Sequence, residues 1–500
     1  MFNTIKGYFQ HYFDTFLWRL IILFASITVF TSPLILVGQS VNSLQASFGG
    51  GGIALMNGPS SIYLNPANMM INTYGKRNQI EFGTLFSETG IQSSLPNSLT
   101  MFKSNFLYPV LYDNTLNPDL NSIVLPNKGT VALSASALQA SFLMNDWSLG
   151  LGFRTRLNSN FEFSENFYRN SSNSNSKTRS YEAESTQWNE FTIAFARPLD
   201  YFNLINSNFN RFFVGFSISF LQPISHDKSS LNETLSLSQA DGNNLVSNAD
   251  IRYAGYISPV FSTPNLSNSV INPIQLGDLA QIKGFGTGLN LSLTYEIPFE
   301  SNYKQVIDGK PITKFWRFSL ALTDLGFMKF SGGLSTIKAL QDTVSTNLNS
   351  FQSVFNKAYS FSVKDRINIL QDPSIQVLLD RGKSSNDYNA MLYLPTQLKA
   401  GFVLSYNWIR LGSDIYYGLN NSMNNTDKIC LTGFSEIKLI PFLPIRAGVL
   451  LEDFIPTQVS TGLGLDLWHF SWDASLVFST DALNFNQPKA FAATGLRFRF

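Results

Sequence analysis

"GLNLSLTYEI", residues 288–297, alternates without a break. Leu289, Leu291, Leu293, Tyr295 and Ile297 fall on one face of an extended chain, and Gly288, Asn290, Ser292, Thr294 and Glu296 on the other. A period of two sustained over ten residues is a strand with one apolar and one polar face. The pattern recurs. "RFFVGFSISF" (211–220) aligns Phe212, Val214, Phe216, Ile218 and Phe220, and "WSLGLGFRTRLN" (147–158) sets Trp147, Leu149, Leu151 and Phe153 against Gly150, Gly152, Arg154 and Arg156. "WRFSLALT" (316–323) places Arg317 opposite Trp316 and Phe318, and "IRLGSDIYYGLN" (409–420) places Asp414 opposite Leu411 and Ile415.

A soluble sandwich also alternates, with its apolar faces turned inward. Three features favour a barrel whose apolar face meets lipid. The segments run ten to twelve residues, the length that crosses a bilayer at a tilt. The polar faces are rich in Gly, Ser and Asn and also carry Arg and Asp, as a solvated interior would. Aromatic residues sit at segment ends, at Trp147, Tyr295, Trp316, Trp408 and Trp468, where interfacial girdles lie.

Composition agrees. Of 500 residues, 14% are charged, against about 25% in soluble domains. Hydrophobic residues make 44% and there are 44 Phe, yet mean hydropathy is +0.01. No apolar run long enough for a membrane helix lies beyond residue 40. A net charge of +1 gives no electrostatic footprint for nucleic acid. With Cys430 the only cysteine and His11, His226 and His469 the only histidines, no disulfide, metal site or cofactor is expected.

The alternation predicts an all-β, antiparallel, up-and-down transmembrane barrel of about fourteen strands. They lie near 78–88, 130–142, 146–157, 186–197, 211–222, 283–297, 313–323, 397–407, 410–420, 428–440, 443–452, 457–467, 470–480 and 489–500. Short connections (143–145, 408–409, 441–442, 468–469) alternate with long ones (89–129, 158–185, 223–282, 324–396). Outer-membrane barrels keep short turns in the periplasm and long loops outside, so an even strand count puts both chain ends in the periplasm. Within 334–361, Ile337, Leu340, Val344, Leu348, Phe351 and Phe355 recur at three- and four-residue steps, which predicts a helical insert in one outer loop. Residues 223–282 read as a long Ser/Asn-rich loop. In this reading Leu291→Arg is costly, and Ser292→Arg is cheap if the interior is wet.

Residues 1–40 read as a signal peptide: Lys6 and Arg19 precede an apolar run over Leu20–Val37, and small residues surround Ser40. A retained membrane anchor is the alternative. No Cys follows the run, so a lipoprotein is not indicated. The 78–500 barrel is preceded by a 41–77 segment containing "GGGGIALMNGPSSIYLNPANMM" (49–70). Gly49, Gly50, Gly51 and Gly52 are not a phosphate loop, since no Gly-Lys-Ser/Thr follows and Lys76 is the next lysine. At the other end, "TGLRFRF" sets Leu496, Phe498 and Phe500 against Arg497 and Arg499. This resembles the C-terminal signal read by the barrel assembly machinery.

A small-residue run followed by Asn65, Pro66 and Ala67 resembles the N-terminal segment of the long-chain fatty-acid transporter family of outer-membrane barrels. "LALTDLGFMKFSGG" (320–333) and "LPTQLKAGFVLSYN" (394–407) resemble a group of barrels of unassigned function in the same superfamily, to which accessory barrels of the type IX secretion system are related. The resemblance implies that 41–77 folds into the lumen as a plug. Gly permits close approach to the wall, and Pro59 and Pro66 keep the segment from pairing as a strand. It also implies passive uptake of a hydrophobic, fatty-acid-like molecule; the alternative is a sealed barrel serving as a secretion accessory. Arg154, Arg156, Glu296, Arg317, Asp414, Arg446, Asp466 and Asp473, all on polar faces, are the candidate lumen lining. The expected surroundings are outer-membrane lipid, the assembly machinery and an apolar ligand. Ser225-His226-Asp227 is contiguous, which is not how a catalytic triad is presented, and no enzyme activity is expected.

Overall fold

The computed structural model describes residues 43–71, 78–83, 88–93, 128–144, 146–163, 176–199, 210–237, 245–257, 284–307, 311–331, 334–345, 383–385, 389–423, 425, 428–453, 455–467, 469–479 and 490–500. The signal-peptide stretch lies outside them. Nineteen strands form one sheet: β1 (Gln79–Gly83), β2 (Glu88–Ser93), β3 (Lys128–Leu143), β4 (Ser148–Phe163), β5 (Ser176–Pro198), β6 (Arg211–Leu237), β7 (Leu245–Ile257), β8 (Phe285–Pro298), β9 (Lys314–Ser331), β10 (Leu334–Ser345), β11 (Lys383–Ser385), β12 (Asn389–Tyr393), β13 (Gln397–Tyr406), β14 (Ile409–Gly418), β15 (Cys430–Ile440), β16 (Leu443–Glu452), β17 (Ile455–Leu467), β18 (Phe470–Ser479) and β19 (Ala490–Arg499).

Several of these are pieces of one wall strand. β1 and β2 lie end to end between β19 and β3. β7 and β8 share the flank of β6, β9 and β10 follow each other beside β8 and β7, and β11, β12 and β13 succeed one another beside β10 and β9. The pieces therefore make fourteen wall strands, and β19 against β1 and β2 closes the ring. Every ladder is antiparallel, and closure leaves no sheet edge to lipid. All fourteen strands read from the alternation are present.

The facing follows the sequence. Along β8 exposed and shielded residues alternate, with Leu291 and Leu293 outward and Ser292 and Thr294 inward. Phe216, Ile218, Phe318, Leu320, Leu411, Ile415, Leu463 and Leu476 extend the exposed apolar band around the ring. A surface this apolar and continuous belongs against lipid. Trp147, Trp316 and Trp408 are exposed at the end of the short turns, as an interfacial girdle requires. Trp468 lies outside the described residues. No described helix is long and apolar enough to cross a membrane, which says nothing of a barrel. The protein is an outer-membrane β-barrel.

Two expectations need correction. Residues 334–345 are not helical. They form β10, paired over twelve positions with β7, from Leu334 opposite Ile257 to Ser345 opposite Val246. Complete backbone pairing and the β-branched Thr336, Ile337, Thr343 and Val344 outweigh a three/four periodicity that six apolar residues can produce by chance. The rest of the proposed helix, 346–361, lies outside the described residues. The long connections are also shorter than expected, because strands continue into them: β6 runs on to Leu237, β7 occupies 245–257, and β5 begins at Ser176.

The register of the first wall strand is offset at the closing seam. Phe82 stands opposite Phe498 and Glu88 opposite Gly495, so six steps along the first wall strand match three on β19. Against β3 the same strand takes five steps, Gly83 to Glu88, for three, Gln139 to Ser136. Within single ladders the offsets are of one residue, as at Leu289/Leu291 and Gln187/Trp188, and larger ones separate β7 from β8 against β6 and β11 from β12 against β10 and β9.

Residues 43–71, which precede the first strand, lie inside the ring and are buried almost throughout. They form a helical turn, α1 (Ser43–Ser47), and two 3-10 turns, Gly58–Ser61 and Pro66–Met70. Both 3-10 turns carry Pro at the start, where its fixed φ suits a turn and its missing N–H forbids strand pairing.

Leu291→Arg puts a charge in the lipid-facing band. It should destabilise the folded barrel by about 2–4 kcal/mol if the site is near the bilayer midplane, read by reversible urea unfolding in lipid vesicles. The companion expectation for Ser292 changes. The Ser292 hydroxyl accepts the Ala67 N–H at 2.8 Å, so this inward position faces packed chain instead of water, and Ser292→Arg should be no cheaper.

Candidate functional site in the barrel interior

β4 serves as a ruler along the interior. Its inward residues Ser148, Gly150, Gly152, Arg154, Arg156 and Asn158 rise from the short-turn end in steps of about 7 Å. Three layers lie at successive heights beside it.

The lowest layer is the N-terminal segment. A Cβ on Gly150 would press on Met69 Sδ at 2.7 Å and Ile62 Cγ1 at 2.9 Å, and one on Gly152 would strike Tyr63. On β6, Gly215 lets the backbone of Pro66 and Ala67 lie against the wall, and on β16 Gly448 does the same for Phe48 and Gly49. The four glycines of the opening run have conformational reasons too. Gly49, Gly50 and Gly52 hold φ of 66°, 90° and 91°, and a side chain on Gly51 would collide with Thr432. Apolar residues from all parts of the segment are buried, among them Phe48, Ile53, Leu55, Met56, Ile62, Leu64 and Met69.

The segment is tied at its centre. Asn65 and Asn68 both donate to the Ile53 carbonyl, at 3.0 and 2.9 Å. The Ile53 N–H donates to Asp414 Oδ2 at 2.8 Å, and Arg317 Nη1 donates to the Ala54 carbonyl at 3.0 Å. Thr294 Oγ1 accepts from Asn65 at 3.1 Å and donates to Asn68 Oδ1 at 2.6 Å. Far around the ring, Ser460 donates to the Ser47 carbonyl at 3.0 Å.

The middle layer is ionic. Arg154 forks onto Glu190 with two bonds of 2.9 Å. Arg156 forks onto Asp324 at 2.9 and 3.2 Å, and the two pairs cross-link at 3.6 and 3.7 Å. Ser219 donates to Glu190 at 2.8 Å, and Asn290 Oδ1 accepts the Asp324 N–H at 2.6 Å. Arg154 lies over the Tyr63 ring at 3.8 Å, which joins this layer to the segment below; Arg156 lies over Trp188 at 4.9 Å, which joins it to the layer above. Bidentate geometry and filled lone pairs are what make buried ion pairs tolerable.

The upper layer is apolar. Trp188, Leu221, Met328, Phe330 and Leu394 pack together, with Ala390, Leu392 and Met423 against them. His226 bonds Thr186 Oγ1 at 3.0 Å and its ring lies 5.3 Å from that of Phe330. Ser225 is buried beside it, and the Asp227 side chain lies outside the described residues.

Each of the eight candidate lining residues is on an inward face, and all but the half-buried Asp466 are buried. They fall into separate groups. Arg154 and Arg156 form the layer just described. Glu296 is held between Arg211 and Arg317, and Asp414 meets the segment. Arg446 bridges Glu436 at 2.7 Å and Asp473 at 2.6 Å, and Arg497 also reaches Asp473 at 2.8 Å. Asp466 accepts from Arg499 at 2.7 Å and lies 3.4 Å from Lys438. Sequence reasoning missed the partners Glu190, Asp324, Arg211, Glu436 and Lys438. Glu190 and Glu436 lie on strands correctly placed, so parity alone would have found them. Asp324 was assigned to a loop. At the last strand, Phe498 and Phe500 stack on Phe82 with centroids 5.7 and 5.4 Å apart. Among the described residues no cluster of His, Cys, Asp and Glu is arranged to hold a metal.

A family model described as a family of unknown function (DUF5723) matches residues 59–472, from the 3-10 turn at Gly58–Ser61 to the next-to-last strand. The chain belongs to the DUF5723 family. No curated protein matches it. Among solved structures, this DUF5723 barrel is similar to the toluene transporter TbuX of Ralstonia pickettii (12% identity, TM-score 0.44, 92% of this chain and 98% of that one). It is likewise similar to the toluene transporter TodX of Pseudomonas putida (12%, 0.44, 92% and 98%) and to a FadL homologue of Pseudomonas aeruginosa (11%, 0.40, 93% and 98%).

Proposed function

We propose that this barrel takes up hydrophobic small molecules passively across the outer membrane. The N-terminal segment, with Gly49–Gly52 and Asn65–Ala67 at its wall contacts, is the lumen plug; the inward charges line the path; and Leu496, Phe498 and Phe500 serve the assembly machinery. The observation that carries the reading is the seam. Between Phe82 and Glu88 the register against β19 shifts by three residues, and this shift adjoins the plug, where Gly58 packs against Glu81 of β1. We assign the exit to it. Of the candidate lining charges all but Asp414, which is held by the Ile53 N–H, are met by opposite charges, and a hydrocarbon passing them strands no polar group of its own.

A sealed accessory barrel is the second reading, favoured by the dense pairing of the interior. Entry of the apolar dye N-phenyl-1-naphthylamine into intact cells separates the two. Uptake predicts a several-fold faster fluorescence rise in cells displaying the barrel, with no change in entry of a polar cephalosporin. Equal dye entry with and without the barrel contradicts uptake.

A further inference from the structure

The upper layer contains a bond that the wall cannot make. Asn158 lies on β4, the third wall strand, and its amide donates to the Met423 carbonyl, in the turn that follows β14, the ninth. Six places around a ring of fourteen is nearly a diameter. With strands about 4.8 Å apart and tilted about 40°, a circular ring is roughly 28 Å across. The bond is therefore made across the lumen, by a turn that folds inward.

The turn is fastened for that course. Asn420 Nδ2 donates to the Leu394 carbonyl at 2.7 Å and Asn425 Nδ2 to the Thr396 carbonyl at 2.8 Å. Gln397 donates to Asn425 Oδ1 at 2.8 Å, and Ser422 donates to the Tyr393 carbonyl. Met423 holds a φ of 50°, a left-handed backbone rare outside Gly, Asn and Asp, and its side chain packs on the Trp188–Phe330–Leu394 cluster. Strained backbone in a segment held by several side-chain bonds points to a fixed role.

We propose that this turn and the apolar cluster form an outer septum, a second barrier on the long-loop side of the ionic layer, independent of the N-terminal segment. Passage then takes two openings in series. The septum is built around the buried Trp188, Met328 and Phe330, so a passage opened through it is lined by apolar side chains. Its place on an uptake path rests on the uptake reading; its existence as a barrier does not.

The test is thiol access beneath the septum. Ser219→Cys, nearly isosteric and in contact with Glu190, is introduced with Cys430→Ser, and its reaction with a trimethylammonium methanethiosulfonate is timed on the purified full-length barrel. Asn158→Ala and Met423→Gly are then added singly and together; neither removes a backbone bond of the wall ladders or a contact of the N-terminal segment, and Met423→Gly relieves the left-handed backbone. The septum predicts slow labelling in the parent and at least a tenfold acceleration in the double variant. Folding is read by heat-modifiable gel mobility, and Asn158→Ala alone carries the test should the double variant lose it. Unchanged labelling in a folded variant overturns the septum whatever the dye-entry result, and fast labelling of the parent does so too.

Discussion

Gly215→Val should force Pro66 and Ala67 off the barrel wall. A Cβ at this position meets the backbone of both residues, so no rotamer change relieves it. The neighbouring ties, Ala67 to Ser292 and Asn65 to Thr294, pull the same stretch toward the wall. Either the turn at Pro66–Met70 leaves its seat or the strand distorts. Overpacking of this kind costs about 1–3 kcal/mol, and more where backbone is struck. The expected result is a barrel with a lowered unfolding midpoint and an N-terminal segment open to protease. Gly433→Ala, where the added Cβ would find only Val449 at ordinary contact distance, should change neither, and serves as the control.

Glu190→Gln should be the most damaging single change in the ionic layer. Glu190 accepts both arms of the Arg154 fork and the Ser219 hydroxyl, and it lies 3.6 Å from Arg156. The amide keeps the volume and removes the charge, leaving two buried guanidiniums to share Asp324. Breaking one side of a buried pair costs about 3–5 kcal/mol, read as the loss in urea-unfolding free energy in lipid vesicles. Arg154→Met in the same background should restore part of the loss, because it removes the charge left unpaired.

The wall was legible because lipid imposes one rule on every strand. Leu291 and Ser292 have opposite surroundings, and a period of two reports that at once. The interior was legible by parity but not by partner. Arg154 and Arg156 could be assigned inward from the pattern around Trp147–Asn158, whereas their pairing with Asp324 depends on how strands distant in sequence face one another across a ring. Periodicity failed where backbone pairing decided the outcome, at Leu334–Ser345, whose apolar spacing suits a helix but whose partner strand β7 was read as loop. The glycine run could not be explained from its own neighbourhood: Gly51 is needed because of Thr432, 381 positions further along the chain. Asn158 and Met423 carried no sequence signal, since a bond across a lumen has no local period.

Gated uptake requires the N-terminal segment to fill the lumen. Ile62 is fully buried against Gly150 of the wall, whereas Lys428, at the opposite end of the barrel from the short turns, is half-exposed. A cysteine is placed at each in turn in the Cys430→Ser background, and the folded barrel is treated with a bulky maleimide. The account predicts that Lys428→Cys labels fast and that Ile62→Cys labels at least a hundredfold more slowly until the barrel is unfolded. Equal rates at the two sites in the folded protein would mean that the segment is a solvent-exposed tail, and would contradict the plug.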